Sequence, residues 1–391
     1  MTRARCGPIP QSRWFLPLMA ATGVAMSLTA PLEVLFVREF SHDGAYIGIF
    51  MLSAAIGVIV VDVFGSRFVP SLDARAALIA GLFLFGVACV GMGMAPGGIV
   101  LMTSRVLQGL GGGMVLGAGL QAAVRVRPGE VAQSLGRFNA AFLFGGAVGS
   151  PGGLLVAGII DGRAGYQVAL VVTGALALLV AGALAGALPS LAAPPELPPP
   201  RIGLPRFGRT PGSRAALVLA MSGDFLRGGV LFTALPLAGA ARDYSTITIT
   251  AAIALMSGVE IIVLSVTYRL IRHVGMVAML MASFGLGTLC AALLALTPSP
   301  TTYLVASALF GVSLAGATAS LPVLVVAQVG ESSAGLAKFR ISAGIGILIG
   351  SVGCAVLATQ IGIAALFALI AIVLLGSAQL AHVVGRRMPA T

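Results

Sequence analysis

The chain has 391 residues, 58% hydrophobic and 9% charged, with a formal net charge of +11. A soluble domain carries about 25% charged residues, so no water-soluble fold of this length hides so much apolar surface, and lipid is its solvent. There is no GxxxxGK[ST] loop, no CxxC pair and no His cluster, which leaves no basis for phosphate-loop ATP binding, a disulfide framework or a metal site.

Arg3, Arg5 and Arg13 precede an apolar run too long for a signal-peptide core, so the run is read as a retained first span. Apolar runs long enough for one bilayer crossing recur at 14–37, 45–65, 76–95, 98–122, 135–160 and 166–189. They continue at 215–239, 246–268, 274–297, 300–327, 336–361 and 362–384. Their length and even hydrophobicity predict twelve transmembrane helices rather than strands. With the N-terminus inside, the basic residues of the two termini and of the connections after spans two, four, six, eight and ten gather on one side, leaving Arg38, Arg163 and Arg242 on the other. This bias predicts cytoplasmic termini in a cell (inner) membrane. It also accounts for the net charge as a topology signal, so no nucleic-acid partner is expected.

Residues 188–214 read LPSLAAPPELPPPRIGLPRFGRTPGSR. Proline runs do not continue a helix. The chain therefore divides into an N-terminal bundle of six helices (1–189), a Pro-rich cytoplasmic linker (190–214) and a C-terminal bundle of six (215–391). The halves repeat at an offset of 201 residues. Gly86 and Cys89 fall on Gly287 and Cys290, Arg137-Phe138 on Lys338-Phe339, and Gly149-Ser150 on Gly350-Ser351. Such duplication is a habit of secondary transporters.

The whole chain resembles the major facilitator superfamily. Arg105-x-x-Gln108-Gly109-x-Gly111 matches the RxxQGxG motif of its fourth span, and Gly145 to Gly153 is similar to the fifth-span motif of the drug/proton antiporter branch. That stretch reads Gly149-Ser150-Pro151-Gly152-Gly153 rather than GPxxGG. The loop between spans two and three keeps only Asp73 and Arg75 of the family's GxxxDRxGRR pattern. The resemblance implies an all-α integral membrane fold of two pseudo-symmetric bundles. It also implies that spans five and eleven meet between them, with Gly145, Gly149, Pro151, Gly152, Gly153, Gly346, Gly350 and Gly353 as interface residues that let helices approach closely.

A charge at a helix centre costs about 2.5–3.5 kcal/mol on insertion scales and calls for a partner or a role. Glu33, Asp62, Arg105, Asp224, Arg227 and Glu260 fall within the spans. Glu33 and Arg105 lie at similar depth, so an ion pair is one reading; Glu33 pairing with Arg38 at the headgroups is the other. Asp224 and Arg227 share a helix face, and Glu260 falls at the same depth as Asp224, making a proton-coupling cluster or, alternatively, a structural pair. Asp62 is expected to pair with Arg67. Gln108, Asn139, Ser222, Thr233 and Ser257 are among the few polar groups left to line a cavity. So few hydrogen-bonding groups suit a lipophilic or amphipathic solute better than a sugar. The expectation is a monomeric proton-coupled exporter of a small compound, not an enzyme and without cofactor or metal. A proton symporter or uniporter for uptake, and a membrane scaffold or sensor without flux, are the alternatives.

Overall fold

A computed structural model describes residues 13–61, 73–126, 131–160, 162–192, 210–297, 299–329 and 333–387. Every regular element among them is helical. The first half contains α1 (Phe15–Ser27), α2 (Ala30–Arg38), α3 (Gly44–Val60), α4 (Ala74–Gly93), α5 (Gly98–Val126), α6 (Val131–Ala157) and α7 (Arg163–Ala187). The second contains α8 (Pro211–Phe225), a π-helical segment (Leu226–Ala234), α9 (Leu235–Ala241), α10 (Thr246–Val274), α11 (Met276–Leu296), α12 (Pro300–Val329), α13 (Ser333–Gln360) and α14 (Gly362–Arg387). Eleven helical stretches among the described residues are long and apolar enough to cross a bilayer, counting α1–α2 and α8–α9 as one each. The shorter apolar helix α3 occupies the second predicted span. The rest of that span, with Asp62 and Arg67, lies outside the described residues, as does most of the Pro-rich stretch.

Two predicted spans are not uniform. The first breaks at Leu28-Thr29, where Pro31 has no N–H and its ring would crowd the carbonyl of Ser27. The seventh widens into a nine-residue π turn. Long π stretches are rare and mark functional positions.

The chain forms two compact units, Met1–Thr29 with Ser53–Ile202, and Ala30–Leu52 with Gly203–Thr391. The second unit thus takes α2 and the beginning of α3. In it α2 packs on the π segment and α9. Gly44 of α3 lies against Thr359, and an added Cβ at Gly48 would stand 2.6 Å from Val356 Cγ2. In the first unit α4 packs on α5 and α7, and α1 on α6.

Of the glycines expected to smooth a surface between the halves, all but Gly353 lie against side chains or backbone of their own unit. Those of α6 face α1: Gly145 lies against Ala20, Gly149 against Val24, and Gly153 against the carbonyl of Leu28. Gly152 faces the end of Leu28 at 3.1 Å. Pro151 sits inside α6, and Ser150 beside it donates back to Gly146 O at 2.8 Å. In the second unit Gly346 meets the backbone of Met221, and a Cβ on Gly350 would lie 2.6 Å from Gly229 N. Gly353 faces open space.

Candidate functional site

The second unit brings three of the predicted charges together. Helix α8 starts on a capping box, Thr210 with Ser213, with Pro211 in the first turn. Such a start satisfies orphan N–H groups and fixes where the helix begins. Its end runs into the π segment at Leu226. Gly228 and Gly229 let that segment approach α13 closely, at Ile347 and Gly350. The Gly228 carbonyl accepts from Thr233 Oγ1 at 2.9 Å and from Ser351 Oγ at 3.1 Å. The Thr233 bond spans five residues and reinforces the π register from the side chain.

Arg227, the second residue of this segment, reaches α10. Its Nη2 donates to Glu260 Oε1 at 2.5 Å and makes a longer contact to Thr318 Oγ1 at 3.4 Å. Thr318 on α12 donates to the same Glu260 oxygen at 3.3 Å. The Arg227 and Glu260 side chains are 18% and 6% exposed. Pro322, four residues after Thr318, supplies no N–H to the Thr318 carbonyl, so the α12 ladder is interrupted at this level. Asp224 lies one turn before Arg227, half-buried, within Coulombic range of both Arg227 and Glu260. Among the described residues it has neither a hydrogen bond nor an ion pair. The cluster can therefore hold one cation firmly while leaving one carboxylate available.

The first unit has a second polar centre. Arg105, 7% exposed, donates through Nη1 to Gln108 Oε1. Gln108, 3% exposed, donates through Nε2 to Thr29 Oγ1 at 3.2 Å and to Cys89 Sγ at 3.5 Å. One amide thus ties α5 to α4 and to the break between α1 and α2. The glycines of the same motif serve packing: Gly109 sits on Ala54 of α3, and a Cβ on Gly111 would be 2.6 Å from Phe85 N of α4. Glu33 of α2 is buried at 4% exposure and belongs to the other compact unit.

The remaining predicted residues are dispersed. Ser222 bonds Val218 O and receives a bond from Ser377 of α14 at 2.9 Å, so its hydroxyl joins two helices. Ser257, one turn before Glu260, is buried with no hydrogen-bond partner for its hydroxyl among the described residues. Asn139 is exposed on α6. Thr318 and Thr29 are absent from the sequence reading, and Ser351 enters it only as part of the repeat. The one sequence signal for Thr318 is a proline four residues downstream on an apolar helix.

Asp73 caps α4 and organises one end of the first unit. It accepts from Arg75 N at 2.8 Å, from Leu191 N at 3.0 Å and from Ser190 Oγ. Arg75 donates to Ala185 O, and Arg125 to Leu191 O at 2.6 Å and Gln121 Oε1 at 3.0 Å. Burial pushes the Asp73 carboxyl up, but the hydrogen bonds from Ser190, Leu191, Arg75 and Ala76 outweigh it and hold the group below its usual 3.8. The residues that echo the family's loop pattern thus strap the chain after α7 onto the start of α4.

Comparison with known proteins supplies the frame for these centres. A bacterial homologue of the human lysosomal transporter Spinster, inward-facing and unoccupied, is similar in structure, with TM-score 0.78, 13% identity, and coverage of 97% of this chain and 98% of that one. Its occupied form gives TM-score 0.74, 14% identity and 98% coverage of both chains. A variant of the nucleoside transporter NupG gives TM-score 0.73 and 13% identity, covering 96% of this chain and 99% of that one. No curated protein matches the sequence. A profile of the Major Facilitator Superfamily matches residues 14–339. The chain belongs to the major facilitator superfamily and is a multi-pass membrane transporter of small-molecule solutes, not an enzyme.

Proposed function

We propose that this transporter exports a small lipophilic or amphipathic compound by alternating access, driven by protons, as a monomer in the cell membrane with both termini in the cytoplasm. The observation that carries the reading is the acid-rich cluster of Asp224, Arg227 and Glu260 on the π-widened seventh span. Ionisable groups this far inside spans mark ion pathways. The scarcity of hydrogen-bonding side chains supports the lipophilic solute, and the arginine bias supports the orientation. The same bias accounts for the net charge as a topology signal, so the reading includes no nucleic-acid partner. The fifth-span glycines support the antiporter branch in part, and the 201-residue repeat supports two duplicated halves, 1–189 and 215–391.

The test is efflux from proteoliposomes under an imposed pH gradient, using compounds found in a susceptibility screen of a deletion strain. Gradient-driven efflux that collapses in the Asp224→Asn/Glu260→Gln double variant supports the proposal. Efflux indifferent to the gradient removes it. The departure of Gly149-Ser150-Pro151 from the antiporter pattern keeps proton symport or uniport as a second reading, which accumulation inside the vesicles would establish.

A further inference from the structure

The two acids of the second unit stand in unequal positions. Glu260 Oε1 accepts from both Arg227 and Thr318. Asp224 has no donor among the described residues, yet it senses Arg227 and Glu260 electrostatically. Asp224 thus lies three residues before Arg227 in sequence and within Coulombic range of Glu260 on α10. A buried carboxylate already held by a guanidinium and a hydroxyl keeps its charge at little cost. One without donors gains most from taking up a cation, and the smallest is a proton.

The charges on the elements around Asp224 leave it to this trio. On α8 itself the nearest other charge is Arg214, ten residues back, about 15 Å along the axis. Helix α12, which meets Gly223 at Ala317 and Leu321, carries no Asp, Glu, Lys, Arg or His, and its Tyr303 is at the far end, bonded to Leu235 O. Helix α13 meets Met221 at Gly346 and carries Lys338 and Arg340 in its first turns and the Cys354 thiol beside Gly229. Helix α14 meets Ser222 at Ser377, with His382, Arg386 and Arg387 in its last turns. On α10 the charges beyond Glu260 are Arg269, Arg272 and His273, nine or more residues further along.

We infer that the acids divide the work: Asp224 takes up and releases the proton, while Glu260 and Thr318 are positioning residues that hold Arg227 beside it. This rests on reading the cluster as the coupling site. Protonation forms one O–H bond at Asp224 and turns a trio of net charge −1 into a neutral one, with no other bond changed.

The experiment is infrared difference spectroscopy of the full chain in lipid nanodiscs, following the carbonyl stretch of protonated carboxyls as pH is varied. The wild type should show a titrating band that Asp224→Asn removes and Asp224→Glu retains at a changed frequency. Glu260→Gln should keep the band and change the proton affinity about tenfold, moving the midpoint toward acid, because Arg227 released from Glu260 then pairs with ionised Asp224. Thr318→Val should move it less, in the same direction. A band that survives Asp224→Asn and vanishes in Glu260→Gln overturns the inference, and so does a wild type with no titrating carboxyl. Solute movement indifferent to protons, in a protein whose Asp224 titrates, sinks the proton-coupled reading and leaves standing only the division of roles between the two acids.

Discussion

The two compact units each hold a largely enclosed arginine near a threonine, and they differ in what joins the two side chains. In the first, Arg105 donates to the amide of Gln108, which passes a hydrogen bond to Thr29. In the second, Arg227 donates to the carboxylate of Glu260, to which Thr318 also donates. An amide connector is insensitive to pH and donates as well as accepts, so it can tie three helical elements together. A carboxylate connector only accepts while ionised, and it changes character when protonated. The first centre is built to hold shape. The second is built to respond.

Exchanging the connectors breaks the comparison most directly. Glu260→Leu strands the Arg227 guanidinium, and removing one partner of a buried pair costs about 3–5 kcal/mol. Unfolding of the purified protein in detergent should show that loss, with most of it recovered in the Arg227→Met/Glu260→Leu double variant. Recovery is the informative half, since leucine alone in that place is no penalty to an apolar core. Gln108→Leu should cost less, about 1–3 kcal/mol, the cost of leaving buried polar groups unsatisfied. Equal losses at the two positions would mean that the amide and the carboxylate do the same job.

The repeat sharpens the comparison at the glycines. Gly149 and Gly350 are equivalent by the 201-residue offset, and each seats its helix on the first span of its own half, at Val24 and at Gly229. Alanine at either should cost about 1–3 kcal/mol through overpacking. Gly353→Ala meets nothing within 4 Å and should be neutral or slightly stabilising, because alanine is the better helix former. Melting temperatures of the three variants check this. Similar destabilisation at Gly353 would mean that another surface covers it.

Much of the fold was legible in the sequence because a bilayer leaves few choices. Long apolar runs must be helices, and loop arginines report sidedness. Two of the three arginines that stood apart from the bias have a structural task. Arg163 donates to Ala95 O just beyond α4, and Arg242 to Leu294 O at the end of α11, at 3.4 and 2.6 Å. Each thus satisfies a carbonyl at the end of the third span of its half, where cations are favourable. The grouping of Asp224, Arg227 and Glu260 was legible in part: their spacing and depth drew the three together, but sequence distance paired Arg227 with Asp224, whereas the ion pair forms with Glu260 on the neighbouring helix. The π turn was not legible, because Arg227, the Gly228-Gly229 step and Thr233 in Leu226–Ala234 are each compatible with an ordinary α-helix and do not announce a wider register. Thr318 stayed hidden because a threonine in a span reads as filler until its neighbours are known. The interface role assigned to the glycines came from the family resemblance, whereas their Cβ directions are set by the nearest helix of the same unit.

A further modest loss is expected at the start of the third span, where the two halves use different residues. Helix α4 starts on Asp73, whose carboxylate caps its first turn and holds the chain at Ser190 and Leu191. Its counterpart α11 starts on Gly275, which has φ +88° and no side chain to cap with. Asp73→Ala should therefore destabilise the first unit by about 1 kcal/mol, the usual worth of an N-cap, with no equivalent penalty available at α11. The pH dependence has a definite sign. The folded-state carboxyl titrates below 3.8, so its stabilisation is fully present above that value and fades as pH falls through the lower folded one. Wild type and Asp73→Ala should differ most in unfolding free energy near neutral pH and converge in strong acid. A gap that stays constant into acid would assign the capping to packing rather than to charge.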